Sequence, residues 1–231
     1  MKDIMNRIQM VCRGMLVFFL FYYSYIFQYI PVLLFHLTKS MLSNNLRMAV
    51  LLSTFSDLFI LLLLLLIYWK DLVKEFKTFI KPILENINTG FICWGIGLFI
   101  MFASNGILVS IFHSEGANNE VLVREMVAAY PLMMGLNVCL LAPFIEEIVF
   151  RKTLKDIFHH RSFYVMASFL AFGLAHVASM ATSLVDWLYI IPYGALGGVF
   201  AYADHKTDTI FTSILFHMIH NTLVFCLLLI L

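Results

Sequence analysis

Leu141-Ala142-Pro143-Phe144-Ile145-Glu146-Glu147-Ile148-Val149-Phe150-Arg151 sets two carboxylates and a guanidinium inside an otherwise apolar run. The apolar character extends back to about residue 128 and forward to about residue 157. A spanning helix needs about 20 mostly apolar residues, so this run can cross a bilayer with its charges inside. Each ionisable group placed there costs about 2.5–3.5 kcal/mol. Glu147 and Arg151 are four residues apart, acid first, and share a helix face, so as a buried pair they offset each other's desolvation. Glu146 points about 100° away and lacks that partner, which leaves its carboxylate for chemistry. Pro143 frees the carbonyl of Cys139 and marks a kink just before the acids.

The rest of the chain has the same character. Of 231 residues 62% are hydrophobic and 13% charged, against about a quarter charged in soluble domains. The mean hydropathy is +0.92. Seven stretches qualify as spans: about 14–36, 48–69, 90–112, 128–157, 162–180, 185–203 and 208–231, the sixth the shortest. This predicts an all-α polytopic helical bundle, 1–231 forming one integral membrane domain with no soluble one. A signal peptide is not expected, because the first run is long and no A-x-A-like site follows it.

Charge asymmetry orients the bundle. With the N-terminus cytoplasmic, the inner segments hold 12 basic residues (Lys2, Arg7, Arg13; Lys70, Lys74, Lys77, Lys81; Arg151, Lys152, Lys155, Arg161; Lys206). The outer ones hold three, Lys39, Arg47 and Arg124, with Glu115, Glu120 and Glu125 in the outer loop 113–127. The net charge of +1 offers no basic excess for nucleic acid. Cys12, Cys93, Cys139 and Cys226 form no CxxC pair and read as small core hydrophobes. In 71–84, Leu72, Val73, Phe76, Phe79, Ile80, Ile83 and Leu84 recur at helical spacing among lysines. That fits an interfacial amphipathic helix on an anionic leaflet or a basic connecting loop equally well.

The remaining intramembrane polar groups gather late in the chain. His176 lies four residues after Phe172; His217 and Asn221 share a face, with His220 on the adjoining side. Measured at 1.5 Å per residue from a turn near His160, Glu146 and His176 both lie roughly 20 Å up, and His217 and Asn221 roughly 14–20 Å along the last span. Asp57, alone in the second span, reads as a packing or interfacial polar group. Pro192, Gly194, Gly197 and Gly198 of the sixth span allow close helix packing; the alternative is room for an extended substrate backbone.

A carboxylate and an imidazole on facing helices can activate water as general bases, and a second imidazole with an asparagine can donate to an oxyanion. The same donors could hold zinc through Glu146, His176 and His217. The metal-free arrangement fits better, since no HExxH motif is present and asparagine is a poor zinc ligand. No GxSxG nucleophile elbow occurs either.

Glu146-Glu147-x-x-x-Arg151, Phe172-x-x-x-His176 and His217-x-x-x-Asn221 together resemble the CPBP family, the CAAX proteases and bacteriocin-processing (Abi) membrane enzymes, over about residues 140–225. The resemblance implies intramembrane endopeptidase activity near the cytoplasmic side, without a cofactor. It implies that Glu146 and His176 activate the water, that His217 and Asn221 form the oxyanion site, and that Glu147 and Arg151 support them. His220 is expected as a satisfied interhelical polar group, or as a residue that tunes His217. The short chain is more similar to the bacterial branch, linked to maturation of bacteriocins or peptide pheromones and to self-immunity. The expected partners are membrane lipids and a membrane-associated peptide or protein, and the expected location is the cell membrane. The competing readings are a non-catalytic immunity or scaffold protein and a transporter or proton relay.

Overall fold

The computed structural model describes residues 2–43, 45–112, 118–179 and 181–230, and these are helical apart from short connections. The helices are α1 (Lys2–Tyr22), α2 (Ser24–Leu34), α3 (Leu46–Ile80), α4 (Ile83–Phe112), α5 (Asn118–Ala129), α6 (Pro131–Ile157), α7 (Arg161–Val177), α8 (Leu184–Thr207, bent at Tyr189) and α9 (Ile210–Ile230). Among the described residues six of them, α1, α3, α4, α6, α8 and α9, are long and apolar enough to cross a bilayer. The protein is a multi-pass membrane protein.

The first expected span, 14–36, is divided between the end of α1 and α2, and its depth is fixed at Arg13. That guanidinium pairs with Asp71 at 2.9 Å and with Asp156, which holds residue 13 at the inner ends of α3 and α6. The expected fifth span is α7, whose 17 residues rise only about 26 Å, short of a hydrocarbon core of about 30 Å. The sixth, expected as the shortest, is longer: it starts at Leu184, where Ser183 and Asp186 form a capping box, and ends at Thr207, where Asp208 turns the chain at φ 52°. Residues 71–80 continue α3 without a break, and the connection to α4 is pinned by Asn86, whose amide donates to the Phe79 carbonyl at 2.9 Å. Of the expected outer loop, residues 113–117 lie outside the described residues, and α5 follows from Asn118.

α6 is one helix built from unlike turns. Pro131 opens it at a position that needs no N–H. Wide π-turns occupy Asn137–Leu141 and Ile148–Lys152, so they bracket the acid pair; such turns occur often at functional sites. The main apolar cluster joins α1, α3, α6, α7 and α9 through Val17, Ile60, Leu64, Ile145, Phe172 and Ile214. α8 closes against α7 through glycine: a Cβ on Gly197 would lie 2.8 Å from Phe172 Cβ and 2.9 Å from the Ser168 carbonyl, and one on Gly194 2.9 Å from the Phe169 ring. These positions are filled by packing, which leaves no space there for a substrate backbone.

At the basic end of the bundle lies a belt of ion pairs. Lys152 reaches Asp156 at 2.9 Å and Glu75 at 3.2 Å, and Lys155 reaches Asp204 at 3.1 Å and Asp208 at 3.0 Å. Tyr164 donates to Asp204 at 2.6 Å, and the Ile210 amide donates to Glu75 at 2.9 Å. The belt therefore ties α1, α3, α6, α7, α8 and α9 together at one level.

Candidate active site

Above the belt, Glu147 and Arg151 are fully buried, with Arg151 Nε 3.0 Å from Glu147 Oε2. The N–H is not aligned for a hydrogen bond, so the contact is an ion pair, and the guanidinium lies over the faces of Phe172 (4.5 Å) and Phe200 (5.7 Å). Two aromatic faces stabilise a desolvated cation by cation–π attraction. The other Glu147 oxygen, Oε1, is 2.8 Å from His217 Nδ1. Glu147 therefore bridges the guanidinium on its own helix and the imidazole on α9.

His217 is boxed between the rings of Phe172 (5.7 Å) and Phe200 (5.4 Å). Its far nitrogen, Nε2, stands 3.6 Å from Glu146 Oε2. That is beyond a direct hydrogen bond. Glu146 is the carboxylate with an open edge, its side chain 18% exposed where that of Glu147 is 0%.

Asn221 lies one turn beyond His217 on α9, and its amide donates to the Val138 carbonyl at 2.9 Å. The local backbone explains why that carbonyl is free. In the π-turn the Ala142 N–H bonds five residues back, to Asn137. The next donor in that register would be residue 143, which would meet Val138, but residue 143 is proline and has no N–H. The wide turn thus leaves the Val138 carbonyl as an acceptor, and Asn221 fills it.

His176 is the last full turn of α7. Its Nδ1 is 2.9 Å from the Phe172 carbonyl, and its ring lies 4.4 Å from Phe172 and 4.7 Å from Tyr193, which stacks on it. A carbonyl only accepts, so Nδ1 carries the proton and Nε2 keeps its lone pair. Phe172 is the α7 side chain level with His217, and His176 lies four residues, about 6 Å, farther along. It joins the cluster through Phe172, with no contact to Glu146 among the described residues. His220 is half-buried and makes no hydrogen bond among the described residues.

Two relationships were not visible in the motifs. Asp57 of α3 lies close enough to Glu146 for the two charges to interact. The signal for this is helical phase, since Asp57, Ile60, Leu64 and Tyr68 fall on one stripe and the last three are buried against α6. In an α3 that is apolar all round, sequence alone does not distinguish that stripe from the lipid face. The bond from Glu147 to His217 is the second: a carboxylate has two oxygens, and pairing one with Arg151 leaves the other to be assigned. No three His, Cys, Asp or Glu side chains among the described residues converge so as to hold a metal ion.

Residues 128–223, the segment that carries all of these groups except Asp57, match the family model described as type II CAAX prenyl endopeptidase Rce1-like. The matched segment is similar to that family over 96 of the 231 residues. A curated relative from Bacillus subtilis (strain 168), named "Putative membrane peptidase YdiL", is 28% identical over 142 residues, 58% of this chain and 54% of that protein. The chain thus spans about half the length of this curated relative. No solved structure gives a significant match.

Proposed function

We propose that the chain is an intramembrane peptidase that hydrolyses a peptide bond of a membrane-associated peptide or protein. The observation that carries this reading is the pair formed by Glu146 Oε2 and His217 Nε2, 3.6 Å apart in the apolar interior, which a water oxygen set about 2 Å to the side of their axis can bridge with two hydrogen bonds. Glu146 takes one proton of that water. The oxygen attacks the carbonyl carbon, and the same proton is returned to the amide nitrogen as the C–N bond breaks. One amide hydrogen of Asn221 is committed to Val138, and the other is the donor for the oxyanion. His176, with its Nε2 lone pair, stands one turn away along α7 for the substrate's N–H groups.

The match to Rce1-like endopeptidases and the name of the Bacillus relative support the same class of reaction. The substrate classes that fit this reading are a membrane peptide, such as a bacteriocin or pheromone precursor, and a CAAX-like protein. The test uses the purified chain in lipid nanodiscs, incubated in heavy-oxygen water with membrane-associated precursor peptides. Mass spectrometry is expected to find two fragments, the new carboxyl carrying the heavy oxygen, at a rate unchanged by a chelator. Intact peptides across the panel together with solute flux in vesicles would replace this reading with the transporter.

A further inference from the structure

We propose that the inner third of α3 carries a binding site for anionic phospholipid headgroups, formed by Lys70, Lys74, Lys77 and Lys81. Steps of four, three and four residues set these lysines on one stripe of the helix, and Lys81, the residue after Ile80, keeps helical backbone angles. All four are exposed, and none makes an ion pair with a described residue. The belt cations at this end differ: Arg13, Lys152 and Lys155 each face acids. Asp71 and Glu75, the acids on the same turns of α3, are engaged with Arg13 and Lys152. The stripe is therefore four positive charges without a counter-charge among the described residues. The helix dipole favours cations only within the last turn, which accounts for Lys77 and Lys81 and not for Lys70 or Lys74.

The occupant is a lipid because the lysines border the lipid-facing side of the same helix. Leu62, Leu66, Trp69, Val73, Phe76 and Ile80 form an exposed apolar stripe that runs past the level of the belt, and the lysines follow its edge, roughly a quarter-turn round the helix. Tryptophan gathers where a bilayer meets water, and Trp69, 62% exposed, stands next to Lys70. The 35 residues of α3 rise about 52 Å, more than the about 40–45 Å of a bilayer with its headgroups, so the inner end passes through the headgroup layer. There the lysine stems lie along apolar surface and the ammonium groups reach phosphate. A phospholipid matches both stripes at once, its chains against the apolar one and its phosphate against the lysines. Across the helix, Glu75 accepts from the Ile210 amide and pairs with Lys152. The headgroups thus hold α3 from outside at the level where the belt holds it from inside.

The test uses the full chain with Trp94→Phe and Trp187→Phe, which leaves Trp69 as its one tryptophan. The protein is placed in mixed bilayers of phosphatidylcholine and phosphatidylglycerol, with brominated chains on one lipid or the other. Bromine quenches a tryptophan that it touches, so the two samples report which lipid lies against Trp69. The expected result is a preference for phosphatidylglycerol of about fivefold or more that shrinks as salt is raised. Replacing all four lysines (Lys70→Gln, Lys74→Gln, Lys77→Gln, Lys81→Gln) should abolish the preference at an unchanged melting temperature, and replacing Lys70 and Lys74 alone should reduce it. Equal quenching by the two lipids before any lysine is replaced, or a preference that survives the replacements, overturns the proposal. Moving the tryptophan inward with Trp69→Phe and Phe76→Trp tests the lower part of the stripe, where no quenching by either lipid also overturns it. Equal quenching together with binding of a poly-glutamate peptide through the lysines would assign the stripe to an acidic peptide instead. None of these readouts depends on cleavage, so failure of the peptidase reading would leave the lipid site standing.

Discussion

Two polar clusters share α6, with Glu146 only six residues before Lys152, about 9 Å of helix, yet they treat charge differently. In the inner belt each ion faces at least one opposite ion: Arg13 has Asp71 and Asp156, Lys152 has Glu75 and Asp156, and Lys155 has Asp204 and Asp208. In the upper cluster Glu147 and Arg151 match, but Glu146 faces an imidazole at 3.6 Å, with the Asp57 carboxylate near enough for the two acids to repel. A bundle that can neutralise charge so thoroughly at one level leaves an unmatched acid a few ångströms above it. Burying such a group costs folding free energy, and in a site that polarises water the unmatched lone pairs are the reactive ones.

The comparison can be broken at several points, ordered here by expected loss of stability. Arg151→Met leaves the Glu147 carboxylate buried without its guanidinium, with only the His217 contact remaining, and is expected to cost about 3–5 kcal/mol, read as a fall in melting temperature in nanodiscs. Pairing it with Glu147→Leu should restore much of the stability without activity, because His217 is then unheld. Gly197→Ala, whose Cβ would press on Phe172 and the Ser168 carbonyl, is expected to cost about 1–3 kcal/mol and to disturb the α7–α8 contact that places Phe172. Asp204→Asn removes the charge opposite Lys155 but keeps a partner for Tyr164. It should cost about 1–2 kcal/mol and leave the turnover of folded protein unchanged, as a belt residue must. Asp208, 85% exposed, should be replaceable by Asn with no measurable shift in melting temperature.

The sequence made the bundle legible because span length and charge asymmetry act along the chain itself. The Glu146-Glu147-x-x-x-Arg151 spacing separated a paired acid from an open one on helical geometry alone. What stayed hidden depends on contacts between helices or on departures from α-helical spacing. The π-turn before Pro143 leaves the Val138 carbonyl to accept from Asn221, which no α-helical count can supply. A second ligand for the Glu147 carboxylate requires knowing that α9 passes beside α6. Asp57 reads from sequence as a packing or interfacial group because an apolar helix in lipid has no polar face to reveal which side looks inward. His176 was expected level with Glu146 by counting from the turn near His160; its ring packs on Phe172 and Tyr193, contacts between side chains that a count along the chain does not supply.

The central claim is that the open carboxylate of Glu146, set opposite His217, performs the chemistry. The most direct measurement compares initial rates of peptide cleavage by wild-type and Glu146→Gln protein in the same nanodiscs, each with its melting temperature. The account predicts a rate at least about 100-fold lower for the variant at an unchanged melting temperature. A variant that folds as well and cleaves as fast as the wild type would contradict it.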